Sequence, residues 1–370
     1  MIQYPDYADC LVNLTNSIYA FYGVKPLHTT LPEADALLGK NPRHVAVILL
    51  DGLGIAVLNR YLSEDSFLRR HLIHEYSSVF PPTTTAALTS LESGLEPVEH
   101  GWLGWSLYFP EEDKVINAFY NTIKDSNIQA APYHAAKKYF DYKSIYSQID
   151  ETHSASVHRI YPFGQNPFPV LDDWCNEIER VIREEKGRGF TVAYWGDPDY
   201  SLHRYGSEDQ KVRFVVKELN KKIEKLCSKL KDTLVFITAD HGHTDIENIL
   251  LSDYPELTAM LKRPAALEPR SVSFFVKDGC IVPFKKLFLK LFGKDFILLT
   301  KDEVLGKKLF GTAALEKHTL KKHTASIGDF LAVASGSKAL LWSENSNRFK
   351  SHHAGITKEE MSIPLIAVET

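Results

Sequence analysis

The sequence predicts an α/β protein, with a mostly parallel central sheet flanked by helices and an inserted α+β cap lobe. Three observations point there. Four short apolar runs, at 44–52, 191–199, 233–242 and 362–369, are rich in aliphatic and β-branched residues and read as strands covered on both faces. A helical pattern separates the second run from the third, and strand, helix, strand in that order argues a parallel crossover. The stretch 244–345 then breaks the rhythm, mixing short strand-like pieces with basic helical ones.

Taken in order, "HVAVILLDG" (44–52) is a near-continuous apolar strand that stops at Asp51-Gly52. The segment "SVFPPTTTAALTS" (77–89) sets two prolines before three threonines and then a run of small and apolar residues. That composition suits a tight strand-to-helix turn with a hydroxyl at the helix N-terminus. "TVAYWGDPD" (191–199) stops in acids. Val212, Val215, Val216, Leu219, Ile223, Leu226, Cys227 and Leu230 recur at helical spacing, with Ser207 and Gln210 at capping-box spacing before them. "TLVFITADHG" (233–242) stops at Asp240-His241, and "SIPLIAVE" (362–369) is the fourth run. These boundaries give a core of 1–243 with 346–370, and a cap of 244–345.

Composition narrows the function. A chain of 370 residues exceeds the size at which one simple core stops growing, so a core with a sizeable insertion is expected. A net charge of −4 leaves no electrostatic footprint for a nucleic-acid polymer. Cys10, Cys175, Cys227 and Cys280 form no CxxC pair, which argues against a zinc-thiolate site or a disulfide framework and fits a reducing, cytoplasmic setting. The first residues lack the basic and apolar regions of a secretory signal, and no run of 18 uncharged apolar residues offers a membrane span.

In open parallel sheets ligands sit outside the carboxyl ends of the strands. Asp51, Asp199, and Asp240 with His241 all fall at such ends. His203 stands four residues after Asp199, at a spacing that a helical turn brings onto one face, and His352 and His353 follow late in the chain. Each alone has an ordinary reading, as a helix cap or a hydrogen-bonded histidine. Together they form a mixed carboxylate and imidazole set of the kind that holds zinc or manganese. Two such ions about 4 Å apart clamp an in-line phosphoryl displacement, and a dication makes a threonine hydroxyl a competent nucleophile.

These residues lie in segments that resemble the alkaline phosphatase superfamily, in its type I phosphodiesterase/nucleotide pyrophosphatase branch. The similar segments are "VILLDGLG" (47–54), "FPPTTTAALTSLESGLEPVEHGWLGW" (80–105), "DPDYSLHRYG" (197–206), "TADHGHTD" (238–245) and "HHAGITKEEMSIPLI" (352–366), in family order along the chain. The resemblance implies an alkaline phosphatase-like core and a threonine nucleophile ten residues before the glycine of a "TGL-P-HG" segment. Here that segment is "SGLEPVEHG", with Gly94, Pro97 and His100, so the count gives Thr84.

The resemblance further implies one metal held by Asp51, Thr84, Asp240 and His241, and a second held by Asp199, His203 and His353. His353 is preferred to His352 because "HAGIT" is similar to the family's "HGGLT". Zinc is the expected ion, with manganese as the alternative. The expected reaction is hydrolysis of a phosphodiester or nucleotide pyrophosphate bond through a phosphothreonine, on a small-molecule phosphate ester or nucleotide. A phosphomonoesterase or phosphonate hydrolase on the same core is the alternative, and a non-catalytic metal-binding scaffold the alternative of another class. A sulfatase or a cofactor-independent phosphomutase is disfavoured, since the nucleophile position holds neither cysteine nor serine.

The chain departs from the family at two places. Ser93 replaces a threonine, and Ala87 stands where animal nucleotide pyrophosphatases carry a phosphate-binding asparagine three residues after the nucleophile. Thr83, Thr85 or a group from the cap is expected to supply the missing hydrogen bond. Thr85 is therefore a candidate substrate contact, and His243, beside the metal ligands in "DHGH", is a candidate to touch phosphate or to support a ligand from behind. Arg270 and Lys322 are candidate anion contacts, Asp197 a supporting acid, and Trp102 and Trp105 core aromatics or a substrate wall.

Overall fold

The computed structural model describes residues 1–163 and 168–370. A six-stranded sheet forms the core, in the order Leu72–Ser77, Ser362–Glu369, Thr233–Thr238, His44–Leu50, Gly189–Trp195, Ser156–Ile160. Every residue of His44–Leu50 is buried, which is why that run is apolar on both faces of the pleat. It pairs in parallel with Gly189–Trp195 and with Thr233–Thr238. The fourth predicted strand, Ser362–Glu369, runs antiparallel to both of its neighbours.

Helix Gln210–Cys227 packs Val212, Val216, Leu219, Ile223, Leu226 and Cys227 inward, as its spacing predicts. The expected Ser207–Gln210 capping box does not form. Asp209 caps the helix by accepting from Lys211 N at 2.8 Å, while the Ser207 hydroxyl bonds Asp245 at 3.0 Å. An aspartate in the cap position is as good an acceptor as serine, and Asp209 stands immediately before the first helical residue, two residues nearer than Ser207.

A second, seven-stranded sheet is ordered Phe296–Thr300, Phe330–Ala334, Ser271–Phe274, Ala266–Glu268, Ser106–Phe109, Lys114–Asn117, Thr122–Ile123. Its first four strands lie in the expected cap at 244–345. The other three come from 106–123, so the sheet of the second lobe is not confined to that insertion. The hairpin 106–117 extends it through the pairing of Leu267 with Ser106. Phe274, Phe284, Phe288, Phe292, Phe296 and Phe330 give this lobe an aromatic core of its own.

A buried ion pair is among the contacts that tie the lobes together. Arg270 and Glu360 are both fully buried, with Nε–Oε1 at 2.7 Å and Nη2–Oε2 at 2.8 Å. Arg270 also donates to the carbonyls of Lys338 and Gly336, and Glu360 accepts from Gly355 N and the Thr357 hydroxyl. Arg270 is thus a strut between the second lobe and the loop after His353, and it is not free to bind an anion.

Candidate metal centre and active site

Parallel pairing brings the strand ends to one edge of the core sheet. Asp51 N donates to Trp195 O and Asp199 N donates to Asp51 O, both at 2.9 Å, so the two loops are stitched together. Gly52 has φ +73, and a Cβ there would meet the Asp199 backbone at 3.0 Å and the His243 ring at 3.1 Å. Only glycine permits that approach. A Cβ on Gly242 would lie 2.0 Å from Glu359 O.

Helix Thr84–Ser93 begins at the middle threonine, after Thr83 in extended geometry. Thr84 Oγ1 lies 3.3 Å from His241 Nε2 and 3.5 Å from Asp51 Oδ2. His241 Nε2 is 3.3 Å from Asp51 Oδ1 and 3.5 Å from Asp240 Oδ2. Around Asp199 Oδ1 gather His243 Nε2 at 2.6 Å, His203 Nε2 at 3.2 Å and His353 Nε2 at 3.8 Å. All seven residues singled out for metal binding are therefore in one cluster. Asp199 belongs to both of its halves, one with Asp51 and His241, the other with His203, His243 and His353.

The histidines are oriented from behind. The Nδ1 atoms of His203, His241 and His353 face the carbonyls of Ser351, Gly242 and Pro82 at 2.8, 3.1 and 3.0 Å. A proton on Nδ1 satisfies each carbonyl and leaves the Nε2 lone pair pointing into the cluster, the arrangement of a metal-ligating imidazole. His352 points its Nδ1 at its neighbour's backbone and stays outside the cluster.

The carboxylates show what the cluster lacks. Asp51 Oδ1 and Asp240 Oδ2 are buried without a hydrogen-bond partner among the described residues. Burial and then the nearby Asp199 hold the Asp51 carboxyl well above the usual range, and burial and then Asp51 push Asp240 up to about 8. Asp199 is also penalised by burial, but His203, His243 and His241 outweigh that and lower it. Acids this crowded repel one another unless cations lie among them. Orphaned oxygens, repelling acids and aimed imidazole lone pairs fit divalent ions of the zinc or manganese type.

Other expectations fare differently. The Thr85 hydroxyl is fully buried with no partner among the described residues and does not reach the cavity beside Thr84, because the helix turns it inward. His243 sits behind Asp199 with its Nδ1 2.9 Å from the Ser351 hydroxyl, in ligand position rather than on the substrate wall. Asp197 accepts from Ser201 N and Oγ, capping the helix that carries His203. Trp102 is core, its Nε1 donating to Phe140 O, whereas Trp105 lines the cavity. Lys322 does not line it.

Three residues were not singled out from the sequence. The Tyr194 hydroxyl donates to Asp51 Oδ2 from a buried strand position. Glu268, from the second sheet, accepts from the Thr83 hydroxyl and from Trp105 N, both at 2.7 Å. Lys124 lines the same cavity. Tyr194 reads as one more apolar residue of its run, and the other two reach the site only through the second sheet.

A fold of this kind, with such a cluster at its strand ends, defines an alkaline phosphatase-like protein. The family model for type I phosphodiesterase / nucleotide pyrophosphatase matches residues 45–270, and the chain belongs to that family. A Xenopus laevis bis(5'-adenosyl)-triphosphatase, enpp4, is 42% identical over 191 residues, covering 48% of this chain and 41% of that protein. Murine ectonucleotide pyrophosphatase / phosphodiesterase 5 has a similar fold, with a TM-score of 0.64 at 18% identity over 88% of each chain. The same murine protein is known in an inactive form in complex with AMP. Phosphonoacetate hydrolase from Sinorhizobium meliloti 1021 gives a TM-score of 0.62 at 16% identity, over 88% of this chain and 90% of that one. The alignments span less than half the length of the curated relatives, 48% of a Pongo abelii bis(5'-adenosyl)-triphosphatase and 41% of the Xenopus protein.

Proposed function

We propose that the chain hydrolyses phosphate esters, at phosphodiester or nucleotide pyrophosphate bonds, with Thr84 as the nucleophile. The observation that carries this reading is the Thr84 hydroxyl at the start of its helix, facing Asp51 and His241 in a cluster with two orphaned carboxylate oxygens. The triphosphatase relatives and the AMP complex of the murine protein support a nucleotide substrate, and a cavity of about 1200 Å³ beside Thr84 has room for one.

Asp51, Thr84, Asp240 and His241 would hold one divalent ion, and Asp199, His203 and His353 a second, with His243 beside them. Bound there, zinc or manganese would make the Thr84 hydroxyl more acidic and offset charge on the phosphoryl oxygens. Thr84 Oγ1 attacks phosphorus in line, and the leaving oxygen departs on the opposite side. The backbone N–H groups that open helix Thr84–Ser93 favour the non-bridging oxygens. The Oγ–P bond of the resulting phosphothreonine is then broken by water, which returns Thr84. Two in-line steps retain configuration at phosphorus. Unpaired Cys10, Cys175, Cys227 and Cys280 support a reducing, cytoplasmic setting. No helix of the described residues is long and apolar enough to cross a membrane.

The test compares a chromogenic phosphodiester with the matching monoester after loading with zinc or manganese. Diester preference supports the proposal. Monoester preference moves the chain to a phosphatase role with the same nucleophile. No reaction on either, with two metals bound, favours a scaffold. Inversion at a chiral phosphorus would rule out the phosphothreonine.

A further inference from the structure

The cavity wall opposite the strand ends is built by the second lobe, and its polar groups are arranged in a chain. Leu267 has φ +66, a left-handed geometry that costs energy for a branched side chain. It sets the next residue, Glu268, into the cavity wall. There one carboxylate oxygen, Oε1, takes both hydrogen bonds, from Thr83 Oγ1 and Trp105 N. Lys124 follows the last strand of the sheet. Its neighbour Asp125 accepts from the hydroxyls of Ser343 and Ser346, both at 2.8 Å, which pins the 342–349 loop over the cavity.

Lys124 itself has no such anchor. Among the described residues no ion pair or side-chain hydrogen bond takes up its ammonium, although Asp125 and Glu268 are near enough to act on it through space. Half-buried lysines normally find a carboxylate or extend into water. This one lines the cavity that Thr84 also lines. Burial holds its pKa below the usual lysine value. A cation held partly out of water, with no fixed partner, binds an incoming anion more strongly than an exposed one. Ala87 offers no polar group on the helix side, so the cap-side wall is where a further donor stands.

We infer that Lys124 is a specificity-determining residue that receives a second anionic group of the substrate, separate from the phosphoryl group attacked at Thr84. The inference rests on the proposed hydrolase reading. The second anion is a phosphate or a carboxylate, and both are acceptors for an ammonium.

The experiment measures KM and kcat for wild type, Lys124→Met and Lys124→Arg, metal-loaded, on three substrates. One is bis(4-nitrophenyl) phosphate, with a single anion. The second is a nucleoside triphosphate, and the third a 4-nitrophenyl phosphodiester bearing a carboxymethyl group. Lys124→Met is expected to raise KM by about tenfold more on at least one two-anion substrate than on the single-anion one. Lys124→Arg should recover most of that difference. The substrate with the larger loss identifies the anion. A KM shift of equal size on all three, or no shift on either two-anion substrate, overturns the inference. Wild type inactive on all three counts against the hydrolase reading. Lys124 is then read by calorimetric titration of inorganic pyrophosphate, where binding unchanged in Lys124→Met overturns its role. Melting temperatures within a few degrees of wild type exclude misfolding as the cause.

Discussion

Two buried polar clusters in this molecule have opposite characters. In the Arg270–Glu360 strut the acid and base are paired bidentately, and backbone carbonyls, an amide and a hydroxyl take the remaining bonds. In the strand-end cluster, Asp51 Oδ1 and Asp240 Oδ2 have no hydrogen-bond partner among the described residues, and acids lie against acids. The first is complete as folded. The second is complete only with something positive added. Satisfaction, more than burial or charge, separates a structural pair from a site.

The largest test of that contrast is metal removal. Chelation is expected to abolish turnover and lower the melting temperature, with both restored by zinc or manganese, read by activity and calorimetry. Next, Thr84→Ala should lose about 10³-fold or more in kcat while keeping its metal content, read by kinetics beside elemental analysis. Loss of metal in that variant would mean that the hydroxyl is structural.

Smaller effects belong to the strut. Arg270→Met leaves Glu360 buried and unpaired, and should cost about 3–5 kcal/mol in urea unfolding, while the paired Arg270→Met/Glu360→Leu change recovers most of it. If the single variant unfolded like wild type, the strut would be dispensable. An effect of similar size comes from buried neutral imidazoles outside both clusters. Burial pushes His44 down to about 4 and His100 to about 3. Their folded pKa values are depressed, so their stabilising contribution is full above the ordinary value and is lost as pH falls towards 4 and below. Unfolding free energy should therefore fall between pH 6.5 and 4, by on the order of 3 kcal/mol for His44. A flat profile over that range would show that neither resists protonation.

Much of the acid and histidine cluster was legible in the sequence because Asp51, Asp199, Asp240 and His241 close strand runs and His203 follows one by a helical turn, and parallel pairing gathers them, whereas His353 came from the resemblance alone. The choice of Thr84 over Thr83 and Thr85 came from a fixed spacing to Gly94, and the helix start bears on the same residue. What was not legible depends on contacts distant in sequence. Nothing local in "SLYF" or "KVIN" tells which sheet the hairpin joins, so Lys124 and Glu268 stayed hidden. The antiparallel sense of 362–369 was equally invisible, since a buried strand has the same composition in either direction. Ser207 lost the cap to Asp209 because Asp245, on the short strand Thr244–Asp245, claimed its hydroxyl.

The antiparallel strand also has a consequence for synthesis. Residues 72–77 find their sheet partners only at 362–366, and the neighbour on the other side, 233–238, waits for 366–369. During translation two strands of the core thus remain open edges while the ribosome makes residues 244–345. The second lobe can fold meanwhile around its own phenylalanines. The core closes last, so nascent chains stalled within the second lobe are the species most exposed to wrong pairing and the ones a chaperone would be expected to hold.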